Sequence, residues 1–288
     1  MVDSAEVRSY GKVFNEIADE YELRRPAYPD ALVDRAREVA GLVPGAAVLE
    51  VGCGTGQLTR SLLARGLRVL AVEPGEQLIG RARDRLADAG DVQFVNARLE
   101  DAALPFASFR AAFSAPAIHW VDPDAGWRTI ADALVDGGTL ALLSYFGVDD
   151  AHSAEDQRAL RAALARVAPE LAGELPSYRT LDGLLAGAAQ RRDNVSQVWA
   201  WLGNYEVARA YVGELFEDVQ IAATPRPVEH TAEQLNALLA TMSFWARLAP
   251  DQRDALIAEN DALHERLGRP IRSSTVACLV TARRVARS

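Results

Sequence analysis

The residues best suited to chemistry crowd into one short stretch, Glu50-Val51-Gly52-Cys53-Gly54-Thr55-Gly56, where glycine recurs at three alternate positions. Glycine permits positive φ and lets backbone approach a ligand with no Cβ in the way. A helix opening just after such a turn aims its free N–H groups at an anion or a polar head group. An acid, Glu50, precedes the turn, and a second, Glu73, stands at the end of the next apolar run. The dinucleotide fingerprint is spaced Gly-x-Gly-x-x-Gly, and here the third glycine comes one residue early. This loop with its two acids suits an adenosine with a free ribose diol and a small zwitterionic tail. His119 is the sharpest candidate for proton chemistry. It follows the fourth apolar run, at the edge of an open sheet where ligands bind, and a base there would take the proton of a hydroxyl, phenol or amine. Its competing role is a wall of the pocket.

Other chemistries are excluded by composition. Lys12 is the single lysine of the chain. No phosphate-loop Gly-Lys-Ser/Thr exists, and a Schiff-base enzyme would have to use Lys12 itself. The two cysteines, Cys53 and Cys278, are too few and too far apart for a disulfide scaffold or a zinc site, and no metal is expected. Forty acidic residues against 31 basic ones give a net charge of −9, the wrong sign for affinity to a phosphate backbone, so a nucleic-acid partner is not expected. The first thirty residues lack the apolar run of a signal peptide, and no stretch approaches a membrane span, so the expectation is a cytoplasmic protein with no membrane partner.

Stepping along the chain, residues 47–53 form an apolar run that breaks into the glycines, and Leu58, Leu62 and Leu63 repeat at helical spacing after it. Residues 68–72 make a second strand, stopped by Pro74 and Gly75; a helix over 77–89 and strands at 92–95, 109–114 and 139–145 continue the alternation. Five strands interleaved with helices predict an α/β, doubly wound, mostly parallel sheet. Two later runs, 218–223 and 274–282, bring the sheet to seven strands as its far edge. Residues 148–213 and 226–270 read as helical insertions laid over the sheet, and no linker divides the chain, so one domain over 1–288 is expected. The insertions concentrate aromatic residues (Trp199, Trp201, Tyr205, Tyr211, Phe244 and Trp245) that could line an acceptor pocket.

The stretch VLEVGCGTGQLT resembles the first motif of the class I S-adenosylmethionine-dependent methyltransferases, VLAVEP resembles their second, and LVDGGTLALLSYF their fifth-strand segment. FNEIADEYELRRPAYPDALVD, RLEDAALPFASF and AIHWVDPDAGW are similar to the bacterial small-molecule branch of the trans-aconitate methyltransferase type. The resemblance implies a Rossmann-like methyltransferase fold, S-adenosylmethionine as cofactor, and methyl transfer to a small organic acceptor such as a carboxylate, hydroxyl or amine. The same fold holding the cofactor while catalysing a non-methylating rearrangement or cyclisation is the alternative. It assigns the methionine part to Gly52, Gly54 and Gly56, with Glu50 anchoring that loop. The ribose goes to Glu73 and the adenine to Leu99 and Glu100. An N-terminal lid over 1–30 brings Tyr21 and Arg25 to the cofactor, Arg25 as a partner for the methionine carboxylate. Two positions depart from the family: Arg98 stands where many members have an acid, and Phe109-Arg110 where most have Phe-Asp. The second is expected to touch only strand packing or solubility.

Overall fold

Short apolar runs that end in glycine or proline form the strands, and the amphipathic segment after each returns over the sheet to start the next. The computed structural model of the chain describes residues 27–287. Helix α1 (Asp30–Val39) leads into β1 (Ala47–Val51), α2 (Gln57–Leu63), β2 (Arg68–Val72), α3 (Glu76–Leu86) and β3 (Val92–Val95). A single 3₁₀ turn at Leu99–Asp101 precedes β4 (Phe109–Ser114), and another at Ile118–Trp120 precedes α4 (Gly126–Ala133) and β5 (Leu134–Gly147). Helices α5 (Ala154–Val167), α6 (Pro169–Glu174), α7 (Leu181–Ala189) and α8 (Val195–Gly203) follow, then α9 (Val212–Leu215) and β6 (Phe216–His230). The last elements are α10 (Ala232–Ala240), a 3₁₀ segment at Ser243–Arg247, α11 (Pro250–Leu267) and β7 (Ile271–Arg284).

The seven strands form one sheet in the order β3-β2-β1-β4-β5-β7-β6. Strands β1 to β5 run parallel, and β7 inserts antiparallel between β5 and β6. Strand order reverses between β1 and β4, so the crevice for a ligand opens above their carboxyl ends. Side chains alternate across the sheet and feed two cores. Leu49, Val51, Leu140, Leu142 and Val280 pack under Trp127, Ile130 and Trp199 on one face. Val48, Val69, Phe113, Ala141 and Leu143 pack under Leu32, Leu58 and Leu62 on the other.

The fold departs from the expected spans in the last third of the chain. Strand β6 runs on to His230, so residues 226–230 are strand and not helical insertion; Arg226 to His230 pair with Thr275 to Ile271. Strand β5 stops at Gly147, opposite Thr275, and the β6–β7 ribbon projects beyond it carrying α10 and α11. Helices there start from side-chain caps: Thr180 Oγ1 accepts from the Gly183 N–H, Asn194 accepts from Ser196 and Gln197, and Thr231 with Gln234 makes a capping box. Among the described residues no helix is long and apolar enough to cross a membrane.

Candidate cofactor and acceptor site

The glycine loop bridges the carboxyl end of β1 and the start of α2 and is built from left-handed backbone. Gly52, Gly54 and Gly56 take φ of 69°, 56° and 88°. Each glycine answers a different demand. A Cβ on Gly52 would fall 2.1 Å from the Cβ of Ala117, on the segment after β4, and one on Gly56 would fall 2.7 Å from Leu86 Cδ1. A Cβ on Gly54 would meet no atom within 4 Å. Gly54 is therefore the open side of the loop, where a ligand can lie against bare backbone. The Gly52 N–H donates to the Val72 carbonyl (2.8 Å), which ties the loop to the end of β2.

Glu73 closes this arrangement. Its Oε2 accepts from the Gly54 N–H (3.0 Å) and its Oε1 from the Gly75 N–H (2.9 Å). The side chain is 7% exposed. Burial raises its carboxyl above the ordinary range, against the pull of those two N–H groups. Each oxygen keeps a second lone pair, so both can still accept from a ribose diol. Asn96, which the sequence reading passed over, shapes the same turn: its Nδ2 donates to the Glu73 carbonyl (2.9 Å) and the Pro74 carbonyl (3.1 Å).

Glu50, the residue expected to anchor the loop, lies beside Thr59 of α2. It is 2% exposed at the end of β1, and its buried Oε2 has no hydrogen-bond partner among the described residues. Burial, with the Glu73 charge beside it, pushes its carboxyl up to about 8. Glu73 thus holds the loop at Gly54, and Glu50 keeps one oxygen, Oε2, unpartnered among the described residues. Glu100, on the Leu99–Asp101 turn, accepts from the Asp122 N–H (2.6 Å) and from Arg98 (3.1 Å). Burial pushes the Glu100 carboxyl up, but Arg98 and the backbone donors outweigh it and hold it below the usual range. The departure at Arg98 thus supplies a partner for Glu100. Leu99 is 3% exposed and belongs to the core, which leaves its backbone as the part a ligand can reach.

His119 lies across the crevice on the turn after β4. Its ring stacks on Tyr205 (centroids 4.1 Å apart, planes within 3°) and meets Trp120 at 4.9 Å. The segment carrying Tyr205 is docked onto this region: the Trp127 Nε1–H donates to the Val207 carbonyl (3.1 Å), the Tyr211 hydroxyl to the Pro123 carbonyl (2.8 Å), and Arg209 pairs with Asp124. The six aromatic residues that could line an acceptor pocket divide between two clusters. Trp199 is sealed in the main core, Trp201 packs against it, and Phe244 and Trp245 join a separate cluster with Leu164, Leu171 and Leu256. Tyr205 is the one in ring contact with His119. At the end of β5, Tyr145 stacks on Tyr28 (5.3 Å) and its hydroxyl donates to the Ala27 carbonyl (2.7 Å), so the first described residues lie over the sheet end. Tyr21 and Arg25, and with them most of the segment 1–30, lie outside the described residues. No cluster of His, Cys, Asp and Glu suited to a metal ion occurs among the described residues.

Comparison with known proteins places this geometry. Residues 48–138, from β1 through the first part of β5, match the model of a methyltransferase domain. An uncharacterised methyltransferase of Mycobacterium bovis is 36% identical over 132 residues, 45% of this chain and 51% of that protein. The chain therefore spans about half the length of the curated relatives it matches first. Among solved structures, a putative type II methyltransferase from Anaeromyxobacter dehalogenans superposes with a TM-score of 0.57 at 24% identity, over 91% of this chain and 99% of that one. A phosphoethanolamine N-methyltransferase of Haemonchus contortus, solved in complex with S-adenosyl-L-methionine, gives a TM-score of 0.50 at 14% identity, over 96% of this chain and 60% of that one. These likenesses establish the fold. Over residues 48–138, with their glycine loop and the acid at the end of the second strand, the chain is similar to methyltransferase domains.

Proposed function

We propose that the chain transfers the methyl group of S-adenosylmethionine to a small organic acceptor, with residues 1–288 acting as one domain. The observation that carries this reading is the pairing of Glu73 with the open glycine loop: one carboxylate holds Gly54 and Gly75 in place and keeps acceptor capacity for a ribose diol. The orphaned Glu50 Oε2 fits the ammonium end of the same ligand, directly or through water. When bound, S-adenosylmethionine supplies a methyl carbon already activated by its sulfonium. The protein's part is to orient an acceptor in line with that carbon and to exclude water.

His119 and Tyr205 form the wall on the acceptor side. For a hydroxyl or amine acceptor, His119 would take the departing proton; for a carboxylate no base is required. Segment 1–30 and the helices at 148–213 and 231–270 act in this reading as the cover over the site, and Tyr21 and Arg25 belong to that cover. A net charge of −9 disfavours nucleic acid and favours a free small molecule. The test is a panel of carboxylates, phenols, alcohols and amines offered with methyl-labelled cofactor. Labelled product formed together with S-adenosylhomocysteine is expected for one class. Conversion of an acceptor without S-adenosylhomocysteine would replace methyl transfer by the rearrangement or cyclisation reading.

A further inference from the structure

At the amino-terminal edge of the parallel strands, across the sheet from the glycine loop, a cleft of about 430 Å³ opens beside the carboxyl end of α1. Its floor is made by the first residues of β4, β5 and β6 and the last of β7. The volume falls within the roughly 300–1,000 Å³ of small-molecule sites.

Two breaks in strand register build it. Strand β4 slips against β5 between Phe109 and Ala111, and the Arg110 side chain between them reaches across to α1, with a guanidinium nitrogen 3.7 Å from where a Cβ on Gly41 would stand. Strand β6 slips against β7 between Glu217 and Gln220, and Asp218 within that slip takes φ of 55°, a left-handed conformation that disfavours side chains. Irregularities of this kind re-aim side chains, and both of these aim a charged one at the same cleft.

The cleft offers more donors than its own residues use. Arg110 is exposed, and among the described residues it has neither an acidic partner nor a hydrogen bond. Thr139 and Thr281 are 4% and 2% exposed, yet their hydroxyls bond to no described group, and the Gln220 amide is likewise unbonded. Arg283 pairs only loosely, at 3.7 Å from Glu217 and 3.8 Å from Asp218, and on the rim Arg35 lies 3.8 Å from Glu38. The guanidiniums of Arg35, Arg110 and Arg283 thus stand with the carboxylates of Glu38, Glu217 and Asp218, and Arg110 is the guanidinium of the three with no acidic partner among the described residues. Donors that no neighbouring group uses are open to acceptor oxygens, and guanidinium groups match carboxylate and phosphate geometry.

We propose that this cleft is a second ligand site, distinct from the glycine-loop site. It takes a metabolite bearing a carboxylate or a phosphate monoester, with Arg110 and Arg283 on the oxyanion and Thr139 and Thr281 donating beside them. The substitution at Arg110 that sets this chain apart from the related pattern is then a binding residue and not a packing change.

The test is a titration of the whole chain with inorganic phosphate and, separately, with malonate at constant ionic strength, read by two-dimensional NMR. Saturable shifts of the amides at 110, 139, 281 and 283, with those at 52–56 unmoved, are expected for at least one anion. The anion that binds separates the phosphate source from the carboxylate source. Arg110→Gln and Thr281→Val should each weaken it, the former by about tenfold or more, and Arg110→Lys should recover part of the loss. Should Arg110→Gln fail to fold, Thr281→Val and Arg110→Lys still decide. Failure of both anions to saturate, saturation indifferent to every one of these variants, or shifts centred on 52–56 would overturn the proposal.

Discussion

Glu73 carries two loads, the loop at Gly54 and the turn at Gly75, so its replacement should act on the cofactor site out of proportion to its size. Hydrogen bonds to a charged acceptor are worth about 1.5–3 kcal/mol each, and Glu73→Ala is expected to weaken S-adenosylhomocysteine binding by at least tenfold in calorimetry. Glu50 yields a pH signature. Its folded carboxyl keeps a proton up to about 8, whereas the free group releases it near 4.5. Between those values the folded chain holds more protons than the unfolded one, so the Glu50 contribution to stability falls as pH rises and levels off above the window. Denaturant unfolding at pH 5 and pH 8 should show Glu50→Gln gaining on the wild type by about 3 kcal/mol across that interval; a constant gap would mean that Glu50 ionises normally. His119→Ala should lower turnover by roughly 10²- to 10⁴-fold for a proton-bearing acceptor, and only mildly for a carboxylate, with cofactor affinity nearly unchanged in both cases. At this scale the glycines and Glu73 were legible because their spacing is local and their chemistry narrow. The bond from Gly54 to Glu73, and the parts of Asn96 and Ala117, were not, because each depends on a contact between segments distant in sequence.

The elements explain why some positions tolerate change and others do not. Gly52 sits where the loop after β1 touches the segment after β4, and a methyl group there collides with Ala117. Gly54 faces open space with the same sign of φ. Gly52→Ala should therefore lower the melting temperature of the free protein clearly more than Gly54→Ala, while both weaken cofactor binding; equal melting temperatures would mean that the Ala117 contact gives way freely. The parallel strands were readable from apolar runs ending in glycine or proline, since burial on both faces leaves little room for polar residues. The apolar pattern marks strand β6 only over 218–223, because its outer half, with Pro225 and Pro227, lies at the sheet edge and lacks a continuous apolar run. The convergence of Tyr205 on His119 was equally hidden, since a segment after α8 returns to dock on the turn after β4.

For the molecule as a whole, one sheet separates two polar clefts: the crevice at the carboxyl edge, with its glycine loop and buried acids, and the arginine-lined cleft at the opposite edge. The fold class follows from the order of runs along the chain, while the acceptor does not, because residues 148–213 carry no motif of their own. Cofactor recognition is the claim on which the rest of the functional reading depends. Calorimetric titration of the whole chain with S-adenosylmethionine and with S-adenosylhomocysteine tests it most directly. Micromolar-range binding of both, with Glu73→Ala at least about tenfold weaker, is the predicted result. Well-folded protein that gives no heat with either ligand at millimolar concentration would contradict it.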